Sequence, residues 1–453
     1  MKMSLAELGF LDRNWSSPST VDKTARGVVL LSVASIAVTE LIGRIGLFAD
    51  GSYIFYYILQ THGTFIQEQT RAGVDTLTQF PLVSALRLGI TNISYLSDLW
   101  NASLVLIPTL LWTLSLFILR RHPAFWFVAI LFAFVAGSAG LFAIGEYNTA
   151  YALFACGVAV LITGVHSKVH ATLLVAIALA SVASYPSSLY LGVVSAFLTW
   201  AVLYRKWKLE RKVDFNVVAL SVAAAAFISS SVVGLVGILH PQGAKIAGAE
   251  NYSQPFRNDQ GQFTLSLIFI SLFMVAWLLR RNWAYVALGL GLLPAILFTR
   301  SNPITFDYSA REVVGFALLV AVLVVVAALT YQRLDILPTL MIVCATAFVL
   351  WTTSIIATDS IGYNNYLNHF RSSESTGTGV IIDINGNVNV SKASQIYDPR
   401  FAWSWGESFL SVDLVPYGRH YLVLNPGLSG TTGLTKGLLS SQLPLPWRYH
   451  YRN

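Results

Sequence analysis

The stretch Leu198–Leu239, LTWAVLYRKWKLERKVDFNVVALSVAAAAFISSSVVGLVGIL, decides the fold. Its second half, Val217–Leu239, runs 23 residues without a charge, and about 20 apolar residues suffice for a helix to cross the hydrocarbon core of a bilayer. Ahead of it, Arg205, Lys206, Lys208, Arg211 and Lys212 crowd into one connector, and ahead of those lies another apolar run, Leu189–Leu203. Two apolar runs joined by a short basic turn are the pattern of consecutive spans that meet on the cytoplasmic side of a membrane.

The same alternation extends outward over most of the chain. Val28–Phe48, Ala102–Leu119, Phe125–Ile144, Thr149–Thr163 and Ala171–Ala183 precede it; Leu265–Leu279, Trp283–Phe298, Val313–Leu329 and Pro338–Thr358 follow. With 55% hydrophobic and 11% charged residues, the composition predicts an all-α polytopic membrane protein of about 11 transmembrane helices, in a range of roughly 10–12. Several runs are short of a full span. The pair flanking Ser184–Tyr185–Pro186 reads either as a helical hairpin whose turn lies at membrane depth or as a re-entrant element covered by neighbouring protein.

Placing the amino terminus in the cytoplasm puts Arg120–Arg121, Lys168, Arg205–Lys206, Lys208, Arg211–Lys212, Arg280–Arg281 and Arg333 in short inner turns, all in accord with the positive-inside rule. The formal net charge of +7 is then a topology signal together with contact to anionic lipid, and no nucleic-acid partner is expected. Met1–Lys23 has no apolar run directly behind a basic start, so a cleaved signal peptide is not expected there. The organisation that follows is a cytoplasmic segment 1–27, a transmembrane domain 28–358 in the cytoplasmic (inner) membrane, and a periplasmic tail 359–453. Polar mass collects in the outer loops 49–101, 240–263 and 299–312 and in that tail, so the functional surface is expected to face outward.

Two carboxylates stand at the expected outer boundary. Asp50, in Phe48-Ala49-Asp50-Gly51, follows directly on the first span and can act as a general base for a hydroxyl at the lipid surface; an Asp-Gly turn ending the helix fits equally well. Glu146, in Gly145-Glu146-Tyr147-Asn148, lies where two spans join with almost no loop, at the same expected depth, as a catalytic partner or a helix cap. Glu40 and Arg44, four residues apart in the first span, can neutralise one another. After Asp50, apolar residues at helical spacing among charged ones predict helices lying in the membrane plane, a floor over which an amphiphile could approach.

Candidate substrate-binding residues are Arg71 in that first loop, Tyr185 in the tight turn, Arg257 and Arg311 as outer-face cations suited to a phosphate, and Trp403 and Trp405 for a sugar ring or the lipid interface. The tail also predicts a β-hairpin around Asn385–Gly386. Cys156 and Cys344 both fall in apolar runs, so neither a structural disulfide nor a cysteine metal site is expected. His166 and His170 are spaced four apart beside Lys168, where a surface pair outweighs a metal site.

A first-loop carboxylate just after the first span, in-plane helices behind it and an outer carboxyl-terminal extension make the chain resemble the GT-C superfamily of polyprenyl-phosphate-sugar-dependent glycosyltransferases, over the architecture from Val28 to about Leu239. The resemblance implies a GT-C-like fold with a small mixed or irregular extracytoplasmic extension, and an inverting transfer of a sugar from a polyprenyl-phosphate donor to a glycan, lipid or protein acceptor. It places Asp50 at the position of the family's first-loop acid and Glu146 at the second-loop carboxylate of some members. No Asp-Glu or Asp-Asp pair stands in the first loop; no cofactor is expected, with a divalent cation left open. The alternatives are a lipid-linked glycan transporter or flippase, and a non-enzymatic envelope assembly protein.

Overall fold

The computed structural model describes residues 19–48, 50–66, 69–139, 146–165, 167–240 and 339–375, and the pairs 381–382 and 388–389. These residues are mostly helical: α1 (Thr20–Gly43), α2 (Asp50–Thr61), α3 (Ala72–Arg87), α4 (Ile93–Ile118), α5 (Phe125–Ala139), α6 (Glu146–Thr163), α7 (Lys168–Ala180), α8 (Ser188–Glu210), α9 (Phe215–Leu239) and α10 (Thr339–Ser375). Short polar side chains set several starts. Ser19, Asn92, Ser167 and Asp214 accept hydrogen bonds from the backbone N–H groups of Asp22, Tyr95, His170 and Val217, so α1, α4, α7 and α9 begin with a satisfied donor.

Five helices, α1, α4, α8, α9 and α10, are long and apolar enough to cross a membrane, and α5, α6 and α7 are shorter apolar helices. These match eight of the predicted runs; the runs at 265–279, 283–298 and 313–329 lie outside the described residues. The burial pattern suits lipid. Large apolar side chains are exposed on the long helices, among them Leu31 and Ile42 on α1, Val193 and Phe197 on α8, Val232 and Val236 on α9, and Val343 on α10. In contrast, α6 is buried almost all round and is the axis on which α4, α5, α7 and α8 pack.

The helix ends gather at two levels. At a basic end, Arg26 of α1 donates to the carbonyl oxygens of Leu119, Arg120 and His122 beyond α4, and Lys168 at the start of α7 stands 6.0 Å from the ring of Phe215 at the start of α9. At the opposite, cap end, α2 and α3 join the upper parts of α4 and α10 in a second apolar core that includes Phe55, Leu86, Trp100 and Tyr363. The 37 residues of α10 make about 55 Å of helix against about 30 Å of hydrocarbon, so its distal turns stand clear of the membrane.

Several expected boundaries move for local reasons. α1 stops at Gly43 because Arg44 turns left-handed, at φ 53°. α4 starts at Ile93, ahead of its apolar run, because Asn92 caps it. α10 continues past Thr358 to Ser375 because Tyr363, Tyr366 and Leu367 pack into the cap core, so the tail opens as helix. Arg44 pairs with Asp98 of α4 at 2.7 Å instead of with Glu40, since its left-handed backbone takes it off the helical i, i+4 track. In the tail, β1 (Ile381–Ile382) and β2 (Val388–Asn389) pair antiparallel, Ile381 with Asn389 and Ile382 with Val388, a register centred on Asn385 as the hairpin expectation requires.

Candidate functional site

The site is built on the turn between α7 and α8. The turn joins α7, whose 13 residues reach only about 20 Å, to α8, whose 23 residues reach about 34 Å. Non-helical backbone at membrane depth persists only where protein satisfies its polar groups. Here the Gly73 N–H donates to Ala183 O at 2.8 Å, Ser230 Oγ to Ser181 O at 2.6 Å, Ser231 Oγ to Ser188 O at 3.1 Å, and Ser188 Oγ to Tyr185 O. Glycine permits the approach: a Cβ on Gly73 would stand 2.1 Å from Val182 O, and one on Gly192 2.3 Å from Ser231 Oγ. The first turn of α3 therefore closes over the 181–187 turn as a lid held by backbone contact.

Under that lid three buried tyrosines form a triangle. Tyr147 and Tyr151 of α6 lie with ring centroids 6.1 Å apart, and Tyr185 stands 6.2 Å from the first and 6.1 Å from the second. The Arg71 guanidinium covers the Tyr185 ring at 5.1 Å, a cation–π contact that fixes the cation over the turn. Ser187 Oγ donates to the Tyr151 hydroxyl at 3.3 Å, and Ser184 and Ser188 share a hydrogen bond of 3.0 Å. Beside them a cavity of about 20 Å³, enough for one water, is lined by Ser181, Ser184, Ser187, Ser188, Ser195 and Ser230 over Phe154 and Phe227. Ser195 is 1% exposed and its Oγ has no hydrogen-bond partner among the described residues.

Arg71 and Tyr185, read separately as binding residues, are thus brought together. Glu146 opens α6 next to Tyr147 of the triangle. Asp50 opens α2 elsewhere. The two carboxylate positions do not share a depth: Trp100 Nε1 donates to Gly51 O at 3.0 Å, whereas Trp112 Nε1 donates to Asn148 Oδ1 at 2.9 Å. Those tryptophans are separated by about 18 Å along α4, so Glu146 is set well below Asp50. The expectation of equal depth is not met: α2 starts beside Trp100, near the head of α4, and α6 starts beside Trp112, further along it. Arg257, Arg311, Trp403 and Trp405 lie outside the described residues.

Sequence reading missed Tyr147 and Tyr151, although their i, i+4 spacing directly after Glu146 marks one face of a helix. It also missed a polar constellation at the basic end. Arg26 grips Asp22 through two bonds of 2.8 and 2.9 Å, reaches the three carbonyls beyond α4, and lies 4.8 Å from the Phe125 ring. Trp126 Nε1 donates to Asp22 Oδ1 at 2.9 Å. His122 Nδ1 accepts the Ala124 N–H at 3.0 Å, and burial, helped by the Arg26 charge, pushes its pKa down to about 3. Cys156 is buried, Cys344 half-buried, and both thiols are free. Among the described residues no three His, Cys, Asp or Glu side chains gather as a metal site.

No protein-family model, no curated protein and no solved structure matches the chain.

Proposed function

We propose that the chain is a membrane glycosyltransferase that moves a sugar from a polyprenyl-phosphate donor to a glycan, lipid or protein acceptor. The observation that supports this reading most is the Arg71–Tyr185 contact beside the head of α6, which sets a phosphate-binding cation and a carboxylate-bearing helix start in one covered recess. The positive-inside rule turns the basic end to the cytoplasm and this recess to the outer side. The exposed Phe80 of α3 and Leu88 just after it give a lipid-linked donor an apolar surface along which to approach.

In the proposed reaction the acceptor oxygen bonds to the anomeric carbon as the carbon–oxygen bond to the donor phosphate breaks. The acceptor proton passes to a carboxylate, and polyprenyl phosphate leaves against Arg71. One displacement inverts the anomeric centre. Glu146 takes the base role ahead of Asp50, because only Glu146 adjoins the Arg71–Tyr185 recess. Incubating the purified protein in lipid with a panel of polyprenyl-phosphate sugars and measuring released polyprenyl phosphate tests this. Arg71→Ala is expected to lose about 10²–10³ in turnover, Glu146→Gln to fall to background, and Asp50→Asn to retain most of the rate. The reverse outcome for the two carboxylates returns the base role to Asp50; no release from any donor by the unaltered protein removes the glycosyltransferase reading.

A further inference from the structure

The end of α8 is not an ordinary basic turn. Residues 205–214 carry Arg205, Lys206, Lys208, Arg211 and Lys212 against Glu210 and Asp214, a surplus of three positive charges. Lys206 is engaged with Asp214 at 3.2 Å; Lys208, Arg211 and Lys212 are solvent-exposed. Arg211 ends the helix in the left-handed region at φ 48°, which turns it and Lys212 off the helical path.

Interleaved with these cations are exposed apolar side chains: Trp207, Leu209 at 71%, Val213 at 76% and Phe215. One turn deeper along α8, Trp200 stacks on Tyr204 at 5.6 Å and 21°. From a second element, Lys168 flanks the same patch across the Phe215 ring. Aromatic side chains just inside a ring of cations suit the boundary between acyl chains and headgroups, and the charge suits anionic headgroups.

The other basic turn in view lacks this pattern. Arg120 folds back on Phe117, 4.1 Å from its ring with a 3.0 Å bond to its carbonyl, and Arg26 satisfies the surrounding backbone.

We infer that the last turns of α8, with Phe215 and Lys168 beside them, form a binding site for anionic phospholipid, whose phosphate is held by Lys208, Arg211 and Lys212 while its chains lie along Trp200 and Trp207. The inference is independent of the proposed reaction. It is tested by reconstituting the full chain and measuring, by electron spin resonance, how strongly spin-labelled phosphatidylglycerol is immobilised relative to spin-labelled phosphatidylcholine. The unaltered protein is expected to prefer the anionic lipid. The variant K208Q/R211Q/K212Q is expected to lose that preference, by up to about fivefold for each charge removed, while R120Q/R121Q keeps it. Equal preference for both lipids in the unaltered protein, or an equal loss in the two variants, overturns the site in favour of none or of a diffuse charge effect. Unchanged tryptophan emission and monodispersity of each variant separate loss of binding from loss of fold.

Discussion

Arg26 and Arg71 both lie over aromatic rings, at opposite ends of the bundle, and they are built for different work. Arg26 is closed off: a bidentate carboxylate and three backbone carbonyls account for its fork, and Trp126 shares the carboxylate. Arg71 covers Tyr185 in the turn whose Ser181, Ser184 and Ser187 line a small cavity, and there Ser195 has a hydroxyl with no partner among the described residues. A saturated charge cluster can only hold helices together. A polar recess with capacity left over can take a ligand, and that asymmetry, more than charge itself, is why the proposed chemistry is put at the cap end.

If the basic end is a staple, breaking it should cost folding before anything else. Arg26→Ala leaves Asp22 buried with Trp126 as its remaining side-chain donor and opens the carbonyls beyond α4, so a loss of about 3–5 kcal/mol is expected. Thermal unfolding in detergent and the yield of monodisperse protein measure it. Arg26→Lys should recover little, because an ammonium cannot reproduce the planar fork. A stable Arg26→Ala protein that had lost only transfer activity would invert the comparison.

Acid sharpens the same contrast. The folded His122 ring titrates near 3, against about 6.5 when unfolded, so between those values the unfolded chain binds the extra proton. Stability is therefore full above about pH 6.5 and declines as pH falls towards 3, by up to a few kcal/mol. His122→Asn, whose amide oxygen can still accept the Ala124 N–H, should flatten that decline. A profile unchanged by the substitution would show that the acid sensitivity belongs elsewhere.

Much of this architecture was legible in the sequence, and for one physical reason. Lipid tolerates so few polar groups that charge-free runs and basic turns declare themselves, as Val217–Leu239 and Arg205–Lys212 do. Arg71 and Tyr185 were legible as residue types, but nothing local says that a first-loop arginine will stack on a turn over 100 residues away. The level of Glu146 was hidden for a related reason: a short span reads the same wherever along its neighbours it starts, and it is the bond from Trp112 of α4 to Asn148 that fixes where α6 begins beside α4. Asp22 and Arg26 looked like part of a cytoplasmic leader because their partners, Leu119 to Trp126, come from another helix turn.

The lid over the recess gives a smaller effect. Gly73→Ala drives a methyl against Val182 O, where an unmoved backbone leaves 2.1 Å, and overpacking of this kind costs about 1–3 kcal/mol. Because α3 can lift away while the α4–α6 packing stays, the loss should appear as a raised KM for the lipid-linked donor with little change in unfolding. Collapse of the whole fold instead would mean that the lid is part of the staple.

The smallest change is the most pointed. Ser195→Ala removes a buried hydroxyl that has no partner among the described residues. If that hydroxyl only packs, the substitution relieves its desolvation and the protein is unchanged or gains about 1 kcal/mol, with binding unaffected. If a bound headgroup or its bridging water supplies the missing partner, stability in the free protein still rises slightly, while donor binding weakens about tenfold because one hydrogen bond in the complex is lost. Unfolding measured without donor and donor affinity measured separately therefore move in opposite directions only when the recess is a binding site. Movement of neither would leave Ser195 as packing and confine the ligand to the Arg71–Tyr185 side of the turn.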